Sequence, residues 1–330
     1  MNVQRSLSRR EFLATTALAA AGLCSANASP APEPIIDIHQ HTNYGGKRDA
    51  QWHPIAPGRT DAELIQHQHN MGATHSILLP AGTPCNRPST HEGRSNGLEG
   101  TCTGNEACMA LAQAHPDLFH FGSNEVSDLE DAPKVIEKYL KLGAVVIGEQ
   151  KFGVECDSPQ MQELFRLAAD FKVPILMHWQ YGMYNYGYER FGRMLAKFPS
   201  TTFIGHAQTF WANVDKNNRD DAKKLYPKGK ITPGGISDRY LTDYPNFIGD
   251  LSAGSGYNAL TRDPDFTRDF FDRHQNQLVF GSDCVDKVGH GAICSGWSTL
   301  DVVRHTASSK AVERKLLYEN AKRLFRLGAV

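Results

Sequence analysis

Side chains of the types that bind metal ions stand at the ends of five apolar segments of this sequence. An H-x-H pair, His39 and His41, follows the first segment. The other four residues are Glu149, His178, His206 and Asp283. Imidazole nitrogens and carboxylate oxygens bind zinc and related divalent ions at about 2.0–2.2 Å. Because polar groups left unpaired at the ends of buried strands are costly, the repeated pattern predicts that all six residues meet at one metal site.

The elements that must bring these residues together alternate between strand and helix. Eight apolar runs predict strands at residues 35–39, 75–80, 118–126, 144–150, 173–180, 201–208, 246–254 and 277–284. Amphipathic stretches predict helices at residues 61–72, 105–115, 132–143, 159–172, 189–198 and 264–274. This alternation predicts an α/β fold with parallel strands, and the count of eight favours a single-domain (β/α)8 TIM barrel. An open doubly wound sheet is the alternative, but no G-x-G-x-x-G loop follows the first strand.

Strand geometry predicts where the side chains of the first strand point. Successive side chains of a strand face opposite ways, so Asp37, His39 and His41 share one face. Ile36 and Ile38 share the other face. We expect the two isoleucines to face the helices and the histidines to face the barrel axis.

Long loops are predicted after the second and sixth strands, at residues 81–104 and 209–236. In a barrel both loops overhang the face where active sites lie, so we expect them to cover the substrate. The candidate substrate-binding residues are Lys151, Trp179, Asp250 and Trp211. Trp179 also begins a run that contains Tyr181, Tyr184, Tyr186 and Tyr188, which predicts either an aromatic wall over the substrate or ordinary loop packing.

The first 28 residues have the composition of a targeting segment. Arg9 and Arg10 precede an apolar stretch at 13–23, which is shorter than the roughly 20 residues that cross a bilayer. Ala26-Asn27-Ala28 offers the small residues of a cleavage site. Residues 8–13 resemble a twin-arginine export signal. We therefore expect a signal peptide at 1–28, a barrel at 29–330, and a periplasmic or secreted protein with no stable membrane anchor; an ordinary secretory signal is the alternative.

Charge and cysteine content restrict the partners. The 35 basic and 36 acidic residues nearly cancel, and loss of residues 1–28 would bring the net charge from −1 to about −3. We therefore expect a small-molecule substrate and no nucleic-acid partner, and an oligomer is compatible with the sequence. The cysteines after the signal are Cys85, Cys102, Cys108, Cys156, Cys284 and Cys294. An oxidising compartment would allow disulfides among them, but the sequence does not select a pairing.

The H-x-H pair, the histidines that end the fifth and sixth strands and the aspartate that ends the eighth resemble the amidohydrolase superfamily. Residues 320–325, Asn-Ala-Lys-Arg-Leu-Phe, look like the terminal helix of its amidohydrolase-related branch, also called amidohydrolase 2. The resemblance implies a metal-dependent barrel hydrolase. It also implies that Asp283 binds metal and takes the proton from an attacking water. His206 would bind a second metal or act as an acid–base partner.

The fourth strand leaves the number of metal ions open. Members of the superfamily use either a carbamylated Lys or a Glu at this place, and Glu149 and Lys151 share one face of the predicted strand. Glu149 is similar in placement to the bridging Glu of the TatD-like deoxyribonuclease branch, so it is favoured over Lys151. One or two divalent ions are expected, and the ligand types suit zinc.

The expected reaction is hydrolysis of a C–O or C–N bond of a lactone, ester or amide by metal-activated water. The branch also contains non-oxidative decarboxylases of unsaturated or aromatic acids. Arg190, Arg239 and Arg262 are available to hold the carboxylate of such a substrate. A phosphodiesterase-type hydrolase and an inactive secreted binding barrel are further alternatives.

Overall fold

The computed structural model describes residues 33–49, 51, 53–90, 98, 102–220 and 223–328. Residues from Pro34 onward belong to one structural unit. The signal peptide predicted at 1–28 lies outside the described residues and stays a prediction, and the loop at 81–104 lies partly outside them. Within the described ranges, no helix combines the length and apolar character needed to cross a membrane.

Eight of the strands in the described residues are parallel and surround a common axis. In chain order the strands are β1 (Ile36–Gln40), β2 (Lys47–Arg48), β3 (Pro54–Ala56), β4 (His75–Leu78), β5 (Phe119–Phe121), β6 (Ile147–Gln150), β7 (Ile175–His178), β8 (Phe203–His206), β9 (Phe247–Asp250) and β10 (Leu278–Val279). Strands β2 and β3 form an antiparallel hairpin. The others pair in the orders β1-β4-β5 and β6-β7-β8-β9-β10.

Backbone hydrogen bonds join these two sheets at both seams. Val145 N donates to Phe121 O (2.9 Å) between β5 and β6. Ile38 N donates to Phe280 O (3.1 Å) between β1 and the end of β10. The predicted (β/α)8 barrel is therefore confirmed.

Helices fill the connections between the barrel strands. They are α1 (Asp61–Met71), α2 (Asn105–Ala114), α3 (Ala132–Lys141), α4 (Pro159–Phe171), α5 (Gly192–Lys197), α6 (Ala207–Ala212), α7 (Ile236–Asp243), α8 (Ala253–Thr261), α9 (Pro264–His274), α10 (Ser295–Thr306), α11 (Lys310–Arg314) and α12 (Asn320–Phe325). The helix predicted at 189–198 is divided into a 3-10 turn, Tyr188–Arg190, and α5. The strand predicted at 246–254 ends at Asp250, and α8 begins three residues later.

Helix ends follow local sequence signals. Thr60 Oγ1 accepts from Glu63 N (3.2 Å) while Glu63 Oε2 accepts from Thr60 N (2.8 Å), which is a capping box at the start of α1. Gly72 ends that helix in the left-handed conformation, with a φ of 81° that suits glycine. Ser158 Oγ accepts from Met161 N (3.3 Å) and starts α4, as the sequence predicts.

Two apolar layers hold the barrel. The inner layer comes from alternate strand positions: Ile36, Ile38, Ile77, Leu79, Val146, Leu176, Ile204, Ile248 and Val279. Tyr318, Ala321 and Phe325 of the C-terminal helical segment pack against this layer. The remaining strand positions, such as Phe203, form the outer layer with side chains of the surrounding helices, such as Phe165.

A β-bulge corrects the direction predicted for the side chains of β1. The register of β1 on β4 shifts by one residue between Asp37 and Gln40. Ile36 and Ile38 belong to the inner layer, and Asp37 faces α1, where Gln68 Nε2 donates to its Oδ2 (3.1 Å). The expectation that the isoleucines face the helices is therefore wrong. The histidines that follow still face the axis because the extra residue reverses the alternation after Ile38.

The segment after β8 has more regular structure than the loop predicted at 209–236. It begins in α6, continues through a 3-10 turn at Lys216–Asp220 and enters α7 at Ile236. Trp211, in α6, is 1% exposed and packs in the outer apolar layer. Burial of this aromatic side chain packs the segment against the barrel.

Candidate metal centre

Four donor atoms meet near the carboxyl ends of β1, β6 and β10. His39 Nε2 and His41 Nε2 lie 3.2 Å apart, and each lies 3.4 Å from Glu149 Oε2. Asp283 Oδ1 lies 3.7 Å from His39 Nε2 and 3.6 Å from His41 Nε2. Two ligands that bind one tetrahedral ion at about 2.0–2.1 Å lie about 3.3–3.4 Å apart. The measured separations are therefore those expected for ligands of a single cation.

A second group of donors shares Glu149. His178 Nδ1 contacts Glu149 Oε1, and His206 Nε2 lies 3.6 Å from the same oxygen. His206 Nε2 also lies 3.6 Å from Asp283 Oδ2. The two carboxylate oxygens of Glu149 thus face different groups of imidazoles. This arrangement would allow Glu149 to bridge two ions.

The surroundings of His206 Nε2 indicate that the site suits a cation. This atom is buried and has no hydrogen-bond partner among the described residues. Its ring is held from the other side, where Ser252 Oγ lies 2.9 Å from His206 Nδ1. A buried polar atom without a partner is costly, and an ion at this place would remove that cost. The residues present therefore fit a divalent metal ion.

Asp250 lies beneath the imidazoles, where it is fully buried. Its Oδ2 accepts from His39 Nδ1 (2.8 Å) and lies 3.2 Å from His206 Nδ1. Ser252 Oγ donates to the same oxygen (2.7 Å). Asp250 was expected to contact substrate, but its Oδ2 is occupied by these side chains and its Oδ1 accepts from Ser252 N (3.0 Å). It is instead a positioning residue that turns His39 Nε2 towards the donor cluster.

Two further contacts orient the donors. His41 Nδ1 donates to Leu79 O (2.8 Å), which leaves Nε2 free to face His39. Tyr44 OH donates to Asp283 Oδ1 (2.9 Å). Sequence reasoning missed Tyr44, because a tyrosine three residues after the H-x-H pair carries no distinctive spacing.

A second register shift turns Glu149 inward. The pairing of β6 with β7 shifts by one residue between Ile147 and Gln150. Gly148, in this irregular stretch, has a φ of 129°, and a Cβ there would lie 2.8 Å from Leu176 O. Glycine is therefore required at this position, where the backbone approaches β7 closely.

The carboxylates make the site favourable for positive charge. Burial lowers the pKa of His39, but Asp283, Asp250 and Glu149 outweigh burial and hold that pKa well above its usual value. Burial also acts on Glu149, by raising its pKa, but His178 and His39 lower that pKa to well below the usual range. Glu149 is therefore ionised at neutral pH, as a metal ligand must be.

His178 differs from His39 in its protonation. Burial and the nearby Lys151 lower the pKa of His178 to about 4, although Glu149 acts in the opposite direction. His178 is therefore neutral at pH 7, the form in which imidazole binds a metal ion. Lys151 lies over the Tyr184 ring, with Nζ 5.6 Å from the ring centroid. Its ammonium is thus at the edge of the site, whereas Glu149 lies within it.

The tryptophans predicted to contact substrate belong to the core. Trp179 is 0% exposed and packs against Tyr188 and Phe191, with ring centroids 4.7 and 4.6 Å away. Trp211 Nε1 donates to Asp250 O (3.1 Å). Neither indole lines the site, and the expected substrate contacts are corrected to packing roles. The reason is that the first residue after β7 and the helix after β8 both turn into the outer apolar layer.

The tyrosines of the same run do line a cavity. It has a volume of about 630 Å³, and its walls include Gln180, Tyr181, Tyr184 and Tyr186. Gln180 Oε1 lies 3.3 Å from His178 Nε2, so the cavity lies next to the donor cluster. Tyrosines of this run therefore line a cavity beside the donor cluster, whereas Trp179 does not.

Two of the three arginines considered for a substrate carboxylate are paired with carboxylates of the chain, and one of these two, Arg190, also lines the cavity. Arg190 pairs with Asp157 (Nε to Oδ2, 2.8 Å), and Arg262 pairs with Asp215 (Nη2 to Oδ2, 3.4 Å). Arg239 is exposed on α7. None of the three contacts a residue of the donor cluster.

Comparison with known proteins identifies one family and several solved structures of the same fold. A family model described as amidohydrolase matches residues 36–327. No match is found among curated proteins.

Three solved structures share the fold at low identity. A TIM-barrel protein of unknown function from Bordetella bronchiseptica superimposes with a TM-score of 0.58 at 16% identity, covering 89% of this chain and 98% of that one. A probable 2-pyrone-4,6-dicarboxylic acid hydrolase from Acinetobacter baumannii superimposes with a TM-score of 0.55 at 14% identity, covering 89% of this chain and 99% of that one. A 2,6-dihydroxybenzoate decarboxylase from Rhizobium superimposes with a TM-score of 0.52 at 14% identity, covering 89% of this chain and 99% of that one. At these identities the similarity establishes the fold alone.

Proposed function

Because the chain belongs to the amidohydrolase family and is an enzyme of that family, we propose that it is a metal-dependent hydrolase. Its substrate is a small lactone, ester or amide, in which a C–O or C–N bond is cleaved by water. The observation that carries this proposal is the convergence of His39 Nε2, His41 Nε2, Glu149 Oε2 and Asp283 Oδ1, with separations of 3.2–3.7 Å among the measured pairs.

The chain supplies binding, orientation and a proton acceptor. A divalent ion held here would lower the pKa of a bound water from 15.7 towards about 7 and polarise a substrate carbonyl. Asp283 Oδ2 faces His206, while its Oδ1 accepts from Tyr44 OH. Asp283 is thus held beside the place where water would attack, and it accepts the proton. Asp250 accepts the hydrogen bond of His39 Nδ1, so Nε2 is the nitrogen left to bind an ion once it has lost its proton.

Two observations favour hydrolysis over decarboxylation. Arg190 and Arg262 are paired with carboxylates of the chain itself, so neither is positioned to hold a substrate carboxylate at the cluster. The cavity beside His178 is lined by four tyrosines and other uncharged residues, and the charge of Arg190 on its wall is balanced by Glu155 and Asp157, so the cavity suits a neutral carbonyl compound. Zinc is the proposed metal, since imidazoles and carboxylates are its usual ligands in hydrolases.

The test combines metal analysis with a substrate panel. Purified protein is assayed on lactones, esters, amides, phosphodiesters and aromatic acids, with and without a chelator. We expect turnover of a carbonyl substrate that chelation abolishes and zinc restores. Asp283→Asn should lower kcat by about 100- to 10,000-fold, the usual contribution of a general base. Activity that survives complete metal removal, full turnover by His178→Ala, or carbon dioxide release without hydrolysis would each contradict the proposal.

A pair of variants distinguishes the two candidates on β6. Glu149→Gln should lower the metal content of the purified protein, because its oxygens face both groups of imidazoles. Lys151→Gln should leave the metal content unchanged, because its ammonium lies over Tyr184 at the edge of the site. The reverse result would assign the bridging position to Lys151.

We also propose that the enzyme is exported through the twin-arginine route to the periplasm or the medium. The support is the sequence of residues 8–13 and the cleavage site at Ala26–Ala28. Replacing Arg9 and Arg10 together by Lys should retain the precursor in the cytoplasm, whereas Arg5→Lys should not. Export of the double variant at the normal rate would indicate an ordinary secretory signal.

A further inference from the structure

A second group of metal-binding side chains lies outside the site described above. It consists of His67 on α1, Cys284 and Asp286 after β10, and Cys294 immediately before α10. One donor atom from each residue lies within 4.8 Å of the donor atoms of the others. His67, Cys284 and Cys294 are buried, and the Asp286 side chain is 7% exposed. We call these four residues the cysteine-containing cluster.

The separations within the cysteine-containing cluster are close to those around a tetrahedral ion. Sulfur at about 2.3 Å and nitrogen or oxygen at about 2.0–2.1 Å from one ion give about 3.8 Å for S to S, 3.5 Å for S to N and 3.3 Å for N to O. The corresponding distances are 3.3 Å for Cys284 Sγ to Cys294 Sγ, 3.5 Å for Cys294 Sγ to His67 Nε2, and 3.1 Å for His67 Nε2 to Asp286 Oδ2. In these three pairs the largest departure from tetrahedral geometry is about 0.5 Å, between the two sulfurs, and the other three pairs lie within 4.8 Å.

The backbone already supports negatively charged ligands in this cluster. Gly296 N donates to Cys284 Sγ (3.0 Å), and Trp297 N donates to Cys294 Sγ (3.3 Å). These donors belong to the first turn of α10, where the helix dipole favours negative charge. Asp286 is fixed by the backbone of the next residues, because Val288 N and Gly289 N both donate to its Oδ1 (2.9 Å each). Its Oδ2 is thereby left to face His67.

The charges would balance when a divalent ion is bound. The two thiolates and Asp286 together carry three negative charges, one more than the two positive charges of a divalent ion neutralise. Arg59 lies beside them, with Nη1 donating to Asp286 O (2.8 Å), and it is 1% exposed. A buried guanidinium at this point neutralises the remaining charge, as a buried ionic group requires.

We propose that the cysteine-containing cluster is a structural site for zinc or a similar divalent ion, separate from the catalytic centre. The ion would fasten the loop between β10 and α10 to α1. This loop starts next to Asp283, and it exposes Val285 (54%) and Ile293 (72%), so it has little apolar burial of its own. A bound ion replaces that missing core, as metal sites do in segments that lack one. All four positions are supplied by the protein, which is typical of structural sites.

The test measures metal content and sulfur ligation in the holoenzyme. Cys284→Ser and Cys294→Ser should each contain one metal equivalent fewer per chain than the wild type. Cys156→Ser is the matched control, since Cys156 is a buried cysteine whose Sγ donates to Gly187 O (3.3 Å). Its metal content should not change. Equal metal content in all four proteins would overturn the proposal.

Cobalt provides a measurement on the wild-type protein, in case the serine variants fail to fold. Cobalt-substituted enzyme should show a thiolate-to-cobalt charge-transfer band in the near ultraviolet. Cys102→Ser is the control here, because Cys102 lies near His41 and could supply sulfur to the catalytic centre. The band should persist in that variant. Absence of the band from the wild type, its loss in Cys102→Ser, or a disulfide between Cys284 and Cys294 in metal-replete enzyme would each overturn the proposal.

Discussion

Asp250 contacts two of the candidate ligands at once, through a hydrogen bond to His39 Nδ1 and a close approach to His206 Nδ1. A carboxylate in this position fixes both the ring orientation and the tautomer of a histidine ligand. Its pKa is held below the usual range, because His206 and His39 outweigh the effect of burial. Asp250 therefore stays ionised under all ordinary conditions and can hold two imidazoles in place.

Asp250→Asn should weaken metal binding by about 10- to 100-fold, the usual effect of removing a carboxylate behind a histidine ligand. The measurement is a competition titration between the enzyme and a fluorescent chelator. Asp243→Asn, on the exposed end of α7, is the control and should bind metal like the wild type. Unchanged affinity in Asp250→Asn would show that the imidazoles are held by other contacts.

At the scale of elements, irregular strand ends determine which side chains reach the axis. Register shifts in β1 and β6 turn His39 and Glu149 inward at positions where regular alternation would not. The end of β10 approaches β9 and β1 closely. A Cβ on Gly281 would lie 2.6 Å from Asp250 Oδ1 and 2.9 Å from His39 Cβ.

Gly281→Ala should displace Asp250 or His39 and lower metal affinity at least as much as Asp250→Asn does. The reason is that neither neighbour can move without losing its hydrogen bond to the other. The same chelator competition checks it. Gly254→Ala in α8 is the matched control, because among the described residues no atom outside its own helix backbone and chain neighbours lies within 4 Å of the added Cβ. If both variants bind metal normally, the packing around Gly281 is looser than the structure indicates.

The packing of α7 on α9 contains an ion-pair network that should respond to acid. Asp238 Oδ1 lies 2.7 Å from His274 Nε2 and 2.5 Å from Arg273 Nη1, and its side chain is 5% exposed. Burial raises the pKa of Asp238, but His274 and Arg273 lower it to about 2. Because the folded-state pKa lies below that of the unfolded chain, the ionised carboxylate stabilises the fold above about pH 4.

This stabilisation should disappear as the pH falls from about 4 towards 2. Asp238→Asn should be less stable than the wild type at pH 6 by about 2 kcal/mol, and the difference should shrink to near zero at the acid end. Denaturant unfolding of both proteins over this pH range is the measurement. A difference that is independent of pH would mean that the carboxylate charge is not the source of the stabilisation.

For the whole molecule, the inner apolar layer keeps the strand ends in register below the metal centre. Leu176 is fully buried in this layer, two residues before His178 in β7. Side chains from opposite sides of the barrel meet there, so the layer depends on most of the strands at once. Loss of volume in it cannot be compensated by one neighbour alone.

Leu176→Ala should lower the free energy of unfolding by about 2–5 kcal/mol, because it removes transfer energy and leaves a cavity. Leu142→Ala, at a position that is 50% exposed, should change it by less than about 0.5 kcal/mol. Thermal or denaturant unfolding checks both. Similar values for the two variants would contradict the assignment of Leu176 to a closely packed interior.

The sequence by itself determined the strand–helix alternation and the strand ends at which ligand-type residues occur. Short apolar runs that end in His178, His206 or Asp283 are local patterns, and parallel strands necessarily bring their carboxyl ends to one face. The same kind of local pattern correctly predicted the starts of α1, α4 and α9. Local patterns did not predict α8 or α10, which begin in Gly- and Ser-containing segments that are also typical of loops.

Only the tertiary structure determined which way the side chains of β1 and β6 face and which distant residues contact each other. The register shifts in β1 and β6 depend on neighbouring strands, so alternation within β1 gave the wrong direction for Ile36 and Ile38. The core positions of Trp179 and Trp211 depend on helices that pack over them. His67 and Asp286 are 219 residues apart in sequence and meet only because the last strand of the barrel pairs with the first. Contacts over such separations follow from closure of the barrel, which no local pattern specifies.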